Sequence, residues 1–332
     1  MLKQATRIGL VLAALLASFA FIPVQKALAG STSQPVLLLH GFNVGSAQSC
    51  NDSTMWGTVE SYFANNSYPK WVSLGFYTKD TNCSASIRGE SSHCTGWYDS
   101  GSNDGTVNED IRHVSCLLAW YIWDHYTSSG VTVSLVAHSM GGILIRQALN
   151  DTPYVAAFPP YLKLSDSVTV ATPHQGLDTG AAGVFELLGC PGNCLQVYQM
   201  QANNALMSNM NSTSFRSGWG RDPQGQGGTD WTTLGSNNDT EVAEWCVSGA
   251  RLGAPSAVNN KGLCGLMPGA THFVVYQGPS PSYNHGDYLT DNNTSWNADM
   301  CYSDNNGGTW YCSTGMVHAI AEMYYATLYS SW

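Results

Sequence analysis

The sequence predicts an α/β fold: a mostly parallel central sheet covered by helices on both faces. Three observations carry this. Short apolar runs such as "QPVLLLHG" (34–41) and "VTVSLVA" (131–137) have the continuous hydrophobicity of strands buried on both faces. Segments with helical apolar spacing alternate with them. The run at 131–137 is also followed closely by Ser139, by two glycines at 141 and 142 and by a helical pattern, the chain order of a strand–turn–helix unit.

The elements follow in order. After the strand at 34–41, "DSTMWGTVESYFANN" places Trp56, Val59, Tyr62 and Phe63 at helical spacing, with Asp52 or Ser53 as N-cap. "WVSLGFY" (71–77) reads as a second strand. Residues 80–106, rich in Ser, Gly, Asn and Asp, read as a long ordered loop. "NEDIRHVSCLLAWYIWDHY" (108–126) reads as a helix capped by Asn108, with Ile111, Val114, Leu118 and Ile122 as its stripe. The strand at 131–137 leads into a helix over 141–151. Further strands are expected at 166–173, 231–235 and 271–278, and a closing helix at 315–329. Residues 175–228 show no clear strand and read as an insertion over the carboxyl edge of the sheet. The segment "WGRDPQGQGG" (219–228) is its exit.

The amino terminus reads as an export signal. Lys3 and Arg7 precede the apolar run 9–22, and "ALA" at 27–29 makes a small-x-small cleavage signature. The expectation is a signal peptide over 1–29, a single domain over 30–332, and a secreted protein. Cleavage would remove Lys3, Arg7 and Lys26 and no acid. That leaves 13 less three basic residues against 23 acidic ones, a formal charge of −13. A chain this acidic is a poor partner for nucleic acid or anionic membranes. All ten cysteines follow the signal, and an even count in an exported chain indicates disulfides. Pairing between sequence neighbours would give Cys83–Cys94, Cys190–Cys194, Cys246–Cys264 and Cys301–Cys312.

The chemistry centres on "VSLVAHSMGG" (133–142). A serine on a tight strand-to-helix turn needs small residues two places to either side, here Ala137 and Gly141, giving A-x-S-x-G. The turn lifts the Ser139 hydroxyl clear of the sheet and aims the helix N-terminus at the same spot. An oxyanion needs two donors. The Met140 N–H supplies one. The strand end "LLLHGF" brings the Phe42 N–H as the other, which leaves His40 a structural residue of that turn.

"VLLLHGF", "VAHSMGG" and "VATPHQG", in that order, resemble the exported α/β-hydrolase lipases of bacteria. The alanine at 137 is similar to the small Bacillus lipases, although this chain is longer and richer in cysteine. The resemblance covers most of the chain through about residue 290. It implies a triad in the order Ser, Asp, His. The acid should follow the strand after the insertion. Asp239 in "TLGSNNDTEV" does so, with Val242 three places on, while Glu241 and Asp230 compete. The base should lie in a loop past the last strand. His285 in "NHGDYL" fits, and His272, at the start of that strand, does not. His138 should point away from Ser139, and His174 should buttress a loop or line the cleft.

These residues imply a lipase or esterase working through an acyl-enzyme on acyl esters, lipids foremost, at a lipid–water or polymer interface. A histidine base predicts activity lost below about pH 6. A polyester or cutin depolymerase, or an acyltransferase or amidase on the same scaffold, are the alternatives. No cofactor motif appears. Some related lipases hold calcium near the histidine loop, where Asp287 and Asp291 lie, but two acids in a polar loop do not make a site, and no metal is expected. The expected state is a monomer.

Overall fold

The computed structural model describes residues 34–44, 47–97, 105–152, 154–177, 190, 194–211, 229–236, 239, 242, 272–276, 284–292, 296–303 and 310–328. The export segment 1–29, the glycine-rich stretch 219–228 and the Cys246–Cys264 pairing lie outside them.

Nine strands form one sheet among the described residues: β1 (Val36–Leu39), β2 (Trp71–Gly75), β3 (Ala85–Ser86), β4 (Val133–His138), β5 (Leu164–Val170), β6 (Asp230–Ser236), β7 (His272–Tyr276), β8 (Trp296–Ser303) and β9 (Trp310–Val317). Their order is β3-β2-β1-β4-β5-β6-β7-β8-β9. The first seven run parallel, and β8 and β9 add an antiparallel edge. From β1 the chain steps outward to β2 and β3, then crosses back to place β4 on the other side of β1. This reversal leaves a crevice at the carboxyl ends of β1 and β4, where open α/β sheets bind ligands. The topology is that of an α/β-hydrolase.

Alternation along the strands divides the core in two. Leu37, Leu39, Leu135 and Ala137 face one side, packed with the helices α2 (Ile111–His125) and α3 (Met140–Asp151). Val36, Leu38, Val136, Val168 and Val170 face the other, against α1 (Gly57–Asn65) and α7 (Ala319–Leu328). Both faces are covered, so the central strands are apolar throughout. The described part of the insertion forms α4 (Leu195–Gln199) and α5 (Ala205–Asn211). Its Val197, Met200, Leu206 and Met207 are buried in the first cluster. A short α6 (Asp287–Thr290) follows His285.

Several expectations are corrected. Helix α1 starts at Gly57 with Trp56 as N-cap, because the Asp52 carboxylate is engaged in its own turn by Thr54 N–H and hydroxyl at 2.8 and 2.7 Å. Asp110, not Asn108, caps α2 by accepting from Arg112 N. Asn108 instead accepts from Leu195 N on the insertion. The loop at 80–106 contains β3 and a 3₁₀ turn over Ile87–Ser92. Disulfides Cys50–Cys83 and Cys94–Cys116 tie it down, replacing the expected Cys83–Cys94 bridge. The 3₁₀ turn separates the two cysteines and carries Cys94 against α2. Cys190–Cys194 pairs as expected. The β8–β9 hairpin was not anticipated, since its strands lack an apolar run. Residues 315–317, expected to be helical, belong to β9. The register sets Cys301 opposite Cys312.

Candidate active site

Ser139 sits between β4 and α3 with φ 53° and ψ −128°. A non-glycine residue at positive φ is uncommon and costs about 1–3 kcal/mol, a strain that concentrates at functional sites. Backbone bonds over-determine the turn. Ser139 N–H donates to Val170 O at 2.8 Å, and Gly142 N–H donates to Ser139 O at 3.1 Å. The nearby glycines are required by close approach. A Cβ on Gly141 would lie 2.6 Å from the carbonyl oxygens of Leu39 and His40, and one on Gly142 would lie 2.2 Å from Thr172 Oγ1. A Cβ on Gly41 would lie 2.5 Å from Ser139 Cβ. The end of β1 is therefore pressed against the serine. Phe42, one residue on, lines the same cavity as Ser139. Met140 opens α3, where backbone N–H groups have no acceptor within the helix.

Asp239 and His285 come together from loops after β6 and β7. His285 Nδ1 lies 3.0 Å from Asp239 Oδ2. The acid is 1% exposed, and its Oδ1 accepts from Val242 N–H at 3.0 Å, the residue that the family resemblance had singled out. The rival pair, Asp230 and His272, begins β6 and β7 at the opposite, amino-terminal edge, 3.4 Å apart. Glu241 lies outside the described residues.

His138 does not point away from the site. It lines the cavity with Ser139, and its ring centroid is 4.6 Å from that of His285. Its Nε2 lies 2.8 Å from the backbone oxygen of His285. A carbonyl only accepts, so this Nε2 carries the proton. Burial, then the neighbouring His285, push the His138 pKa down to about 3, so the ring stays neutral at working pH. His138 thus fastens the loop that carries His285.

The other two motif histidines are structural. His40 Nε2 lies 2.9 Å from Asp80 Oδ2, which also accepts from the Phe76 and Tyr77 N–H groups. His174 is fully buried and does not line the cavity. Its carbonyl accepts from Arg146 at 2.6 Å, and its Nε2 lies 2.8 Å from Thr169 Oγ1. Arg146 also donates to Met210 O and Asn211 Oδ1, so this buried network ties α3 to the insertion.

The cavity measures about 290 Å³. Phe42, Met55, Leu177, Met200 and Val242 give it an apolar wall; His138, Ser139 and His285 lie at its polar end. Gln48 and Asn43 also line it, joined by a hydrogen bond of 2.7 Å. Sequence reasoning missed Met55, Leu177 and Met200. The apolar spacing in the insertion was the available signal, but it does not say which residues reach the crevice. The arrangement unites a strained, accessible hydroxyl, an imidazole oriented by a buried carboxylate, and an apolar slot.

Residues 97–192, which include the Ser139 turn, match the family described as "Putative serine esterase (DUF676)". No curated protein sequence matches the chain. Among solved structures it is similar to Bacillus licheniformis lipase BlEst2 in its mature form. The identity is 18% over 81% of this chain and 90% of that one, with a TM-score of 0.44. It is also similar to Aspergillus fumigatus lipase B, at 14% identity over 64% of this chain and 40% of that one, TM-score 0.38. Phospholipase PlaB from Legionella pneumophila gives 13% identity over 61% and 39%, TM-score 0.37. The chain spans less than half the length of the latter two.

Proposed function

We propose that this protein is a secreted carboxylic ester hydrolase acting on acyl esters, lipids foremost, through Ser139, His285 and Asp239. The observation that carries the reading is the 3.0 Å contact of His285 Nδ1 with buried Asp239, in a cavity that His285 shares with the strained Ser139. The match of residues 97–192 to a serine esterase family supports it. Three disulfides among the described residues suit an oxidising, extracellular setting.

In this reading His285 takes the Ser139 proton through Nε2 as Oγ attacks the ester carbonyl. Asp239 holds the tautomer with hydrogen on Nδ1 and stabilises the imidazolium that forms. The N–H groups of Phe42 and Met140 meet the oxyanion, each worth about 10²–10³ in rate. The alcohol leaves with the proton from His285. Water then cleaves the acyl-enzyme by the same steps reversed. The apolar wall from Phe42 to Val242 takes the acyl chain.

The test is Ser139→Ala, assayed beside the wild type on a long-chain triglyceride, a short-chain nitrophenyl ester and a polyester film, with fluorophosphonate labelling. Loss of both labelling and hydrolysis is expected. Retained hydrolysis overturns the assignment. Preference for the film would favour a polymer substrate, and ester products formed with added alcohols would favour acyl transfer.

A further inference from the structure

Outside the residues that line the Ser139 cavity, the 3₁₀ turn Ile87–Ser92 packs against α2. There Glu90, His93 and Asp124 each present one donor atom, and the three lie within 4.8 Å of one another. We propose that these three side chains form a structural zinc site that ties the turn to α2, with His125 at its margin.

The spacing leaves room for a cation among the three donors. His93 Nε2 lies 3.0 Å from Asp124 Oδ2 and 3.8 Å from Glu90 Oε2; His125 Nε2 lies 3.5 Å from Glu90 Oε1. A contact of 3.8 Å is too long for a hydrogen bond. Donors about 2.0–2.1 Å from a tetrahedral zinc stand about 3.3 Å apart, a value between the two separations from His93 Nε2, 3.0 and 3.8 Å.

Charge points the same way. Among the described residues, every ion pair of Glu90 and Asp124 is with an imidazole, which is charged only when protonated. The two carboxylates otherwise face each other without a permanent cation, and Glu90 is only 13% exposed.

The donors are held in place. The His93 ring stacks on Trp120 at 4.2 Å and 11°, and the Trp120 indole N–H is anchored on Ala157 O at 2.7 Å. The next residue, Cys94, is bonded to Cys116 of α2. His125 leans on Tyr121 at 4.4 Å. A mixed imidazole and carboxylate set suits zinc, whereas calcium takes six to eight oxygens. Three protein ligands leave a fourth position for His125 or water. None of these residues lines the Ser139 cavity, so the site acts on stability.

The experiment uses the full chain with its cysteines confirmed oxidised, stripped with EDTA and dialysed. Zinc chloride alone is titrated by calorimetry, and Tm is recorded with and without it. One zinc per chain and a raised Tm are expected. His93→Gln and Asp124→Asn, tested separately, should each weaken zinc binding at least about tenfold and remove the Tm rise. Absence of zinc binding, or unchanged binding in both variants, overturns the proposal. A calcium chloride titration that binds more tightly than zinc overturns the choice of metal.

Discussion

Replacing Ser139 with glycine should stabilise the protein while abolishing hydrolysis. The backbone angles of φ 53° and ψ −128° lie away from the left-handed helical well. They fall near the 60°, −120° corner that type II′ turns reserve for glycine. A side chain held there costs about 1–3 kcal/mol. Glycine removes this cost but adds back about 0.4–1 kcal/mol of unfolded-chain freedom. The net expectation is a gain of about 1 kcal/mol, within roughly 0–2.5. Ser139→Ala is the control, since it deletes the hydroxyl and keeps the Cβ at the same φ. Urea unfolding of both variants, with disulfides intact, isolates the backbone contribution. In a thermal scan the difference corresponds to about 2–4 °C. Both variants should be inactive. If Ser139→Gly proves no more stable than Ser139→Ala, the strained-elbow argument fails.

His138→Phe removes the hydrogen bond to His285 O, a loss of about 0.5–1.5 kcal/mol. kcat should fall about 2–12-fold with KM little changed; an unaltered kcat would show that the loop needs no such tether. Gly142→Ala drives a Cβ to 2.2 Å from Thr172 Oγ1 and should cost about 1–3 kcal/mol in unfolding free energy; a neutral substitution would mean that the turn relaxes freely. Burial pushes the Glu322 pKa from 4.5 up to about 8. Between those values the folded state holds a proton that the unfolded state has lost, so stability falls as pH rises from about 4.5 to 8, by at most about 1.4 kcal/mol per pH unit. Glu322→Gln should flatten urea midpoints measured across that window; a slope equal to the wild type's would refute the assignment. Reducing Cys94–Cys116, or replacing it by Cys94→Ser with Cys116→Ser, should cost about 3 kcal/mol by the loop-entropy argument; denaturation midpoints that coincide with the wild type's would contradict it.

What the sequence discloses and what it conceals follow from range. Strand β4, the Ser139 turn and α3 are contiguous, so apolar pattern and small residues reveal them together. The pairing of Asp239 with His285 was reached through the order of motifs and a family resemblance; its 3.0 Å distance is a product of folding. His138 was misjudged because its partner lies 147 residues away, on a loop whose return path no local pattern specifies. The Cys83–Cys94 expectation failed for a related reason. A bridge needs Cα atoms about 4.4–6.8 Å apart, and that proximity arises here across 33 and 22 residues.

The sequence by itself therefore determined the parallel α/β layout and the serine turn, which rest on periodicity, turn stereochemistry and steric room acting over a few neighbouring residues; the candidate acid and base came from the motif order that the family resemblance implies. Only the tertiary structure decided the role of His138, the disulfide pairing, the antiparallel edge β8–β9, the residues walling the cavity, and the meeting of Glu90 and His93 with Asp124. Each of these depends on where distant segments pack, and packing is a property of the whole chain.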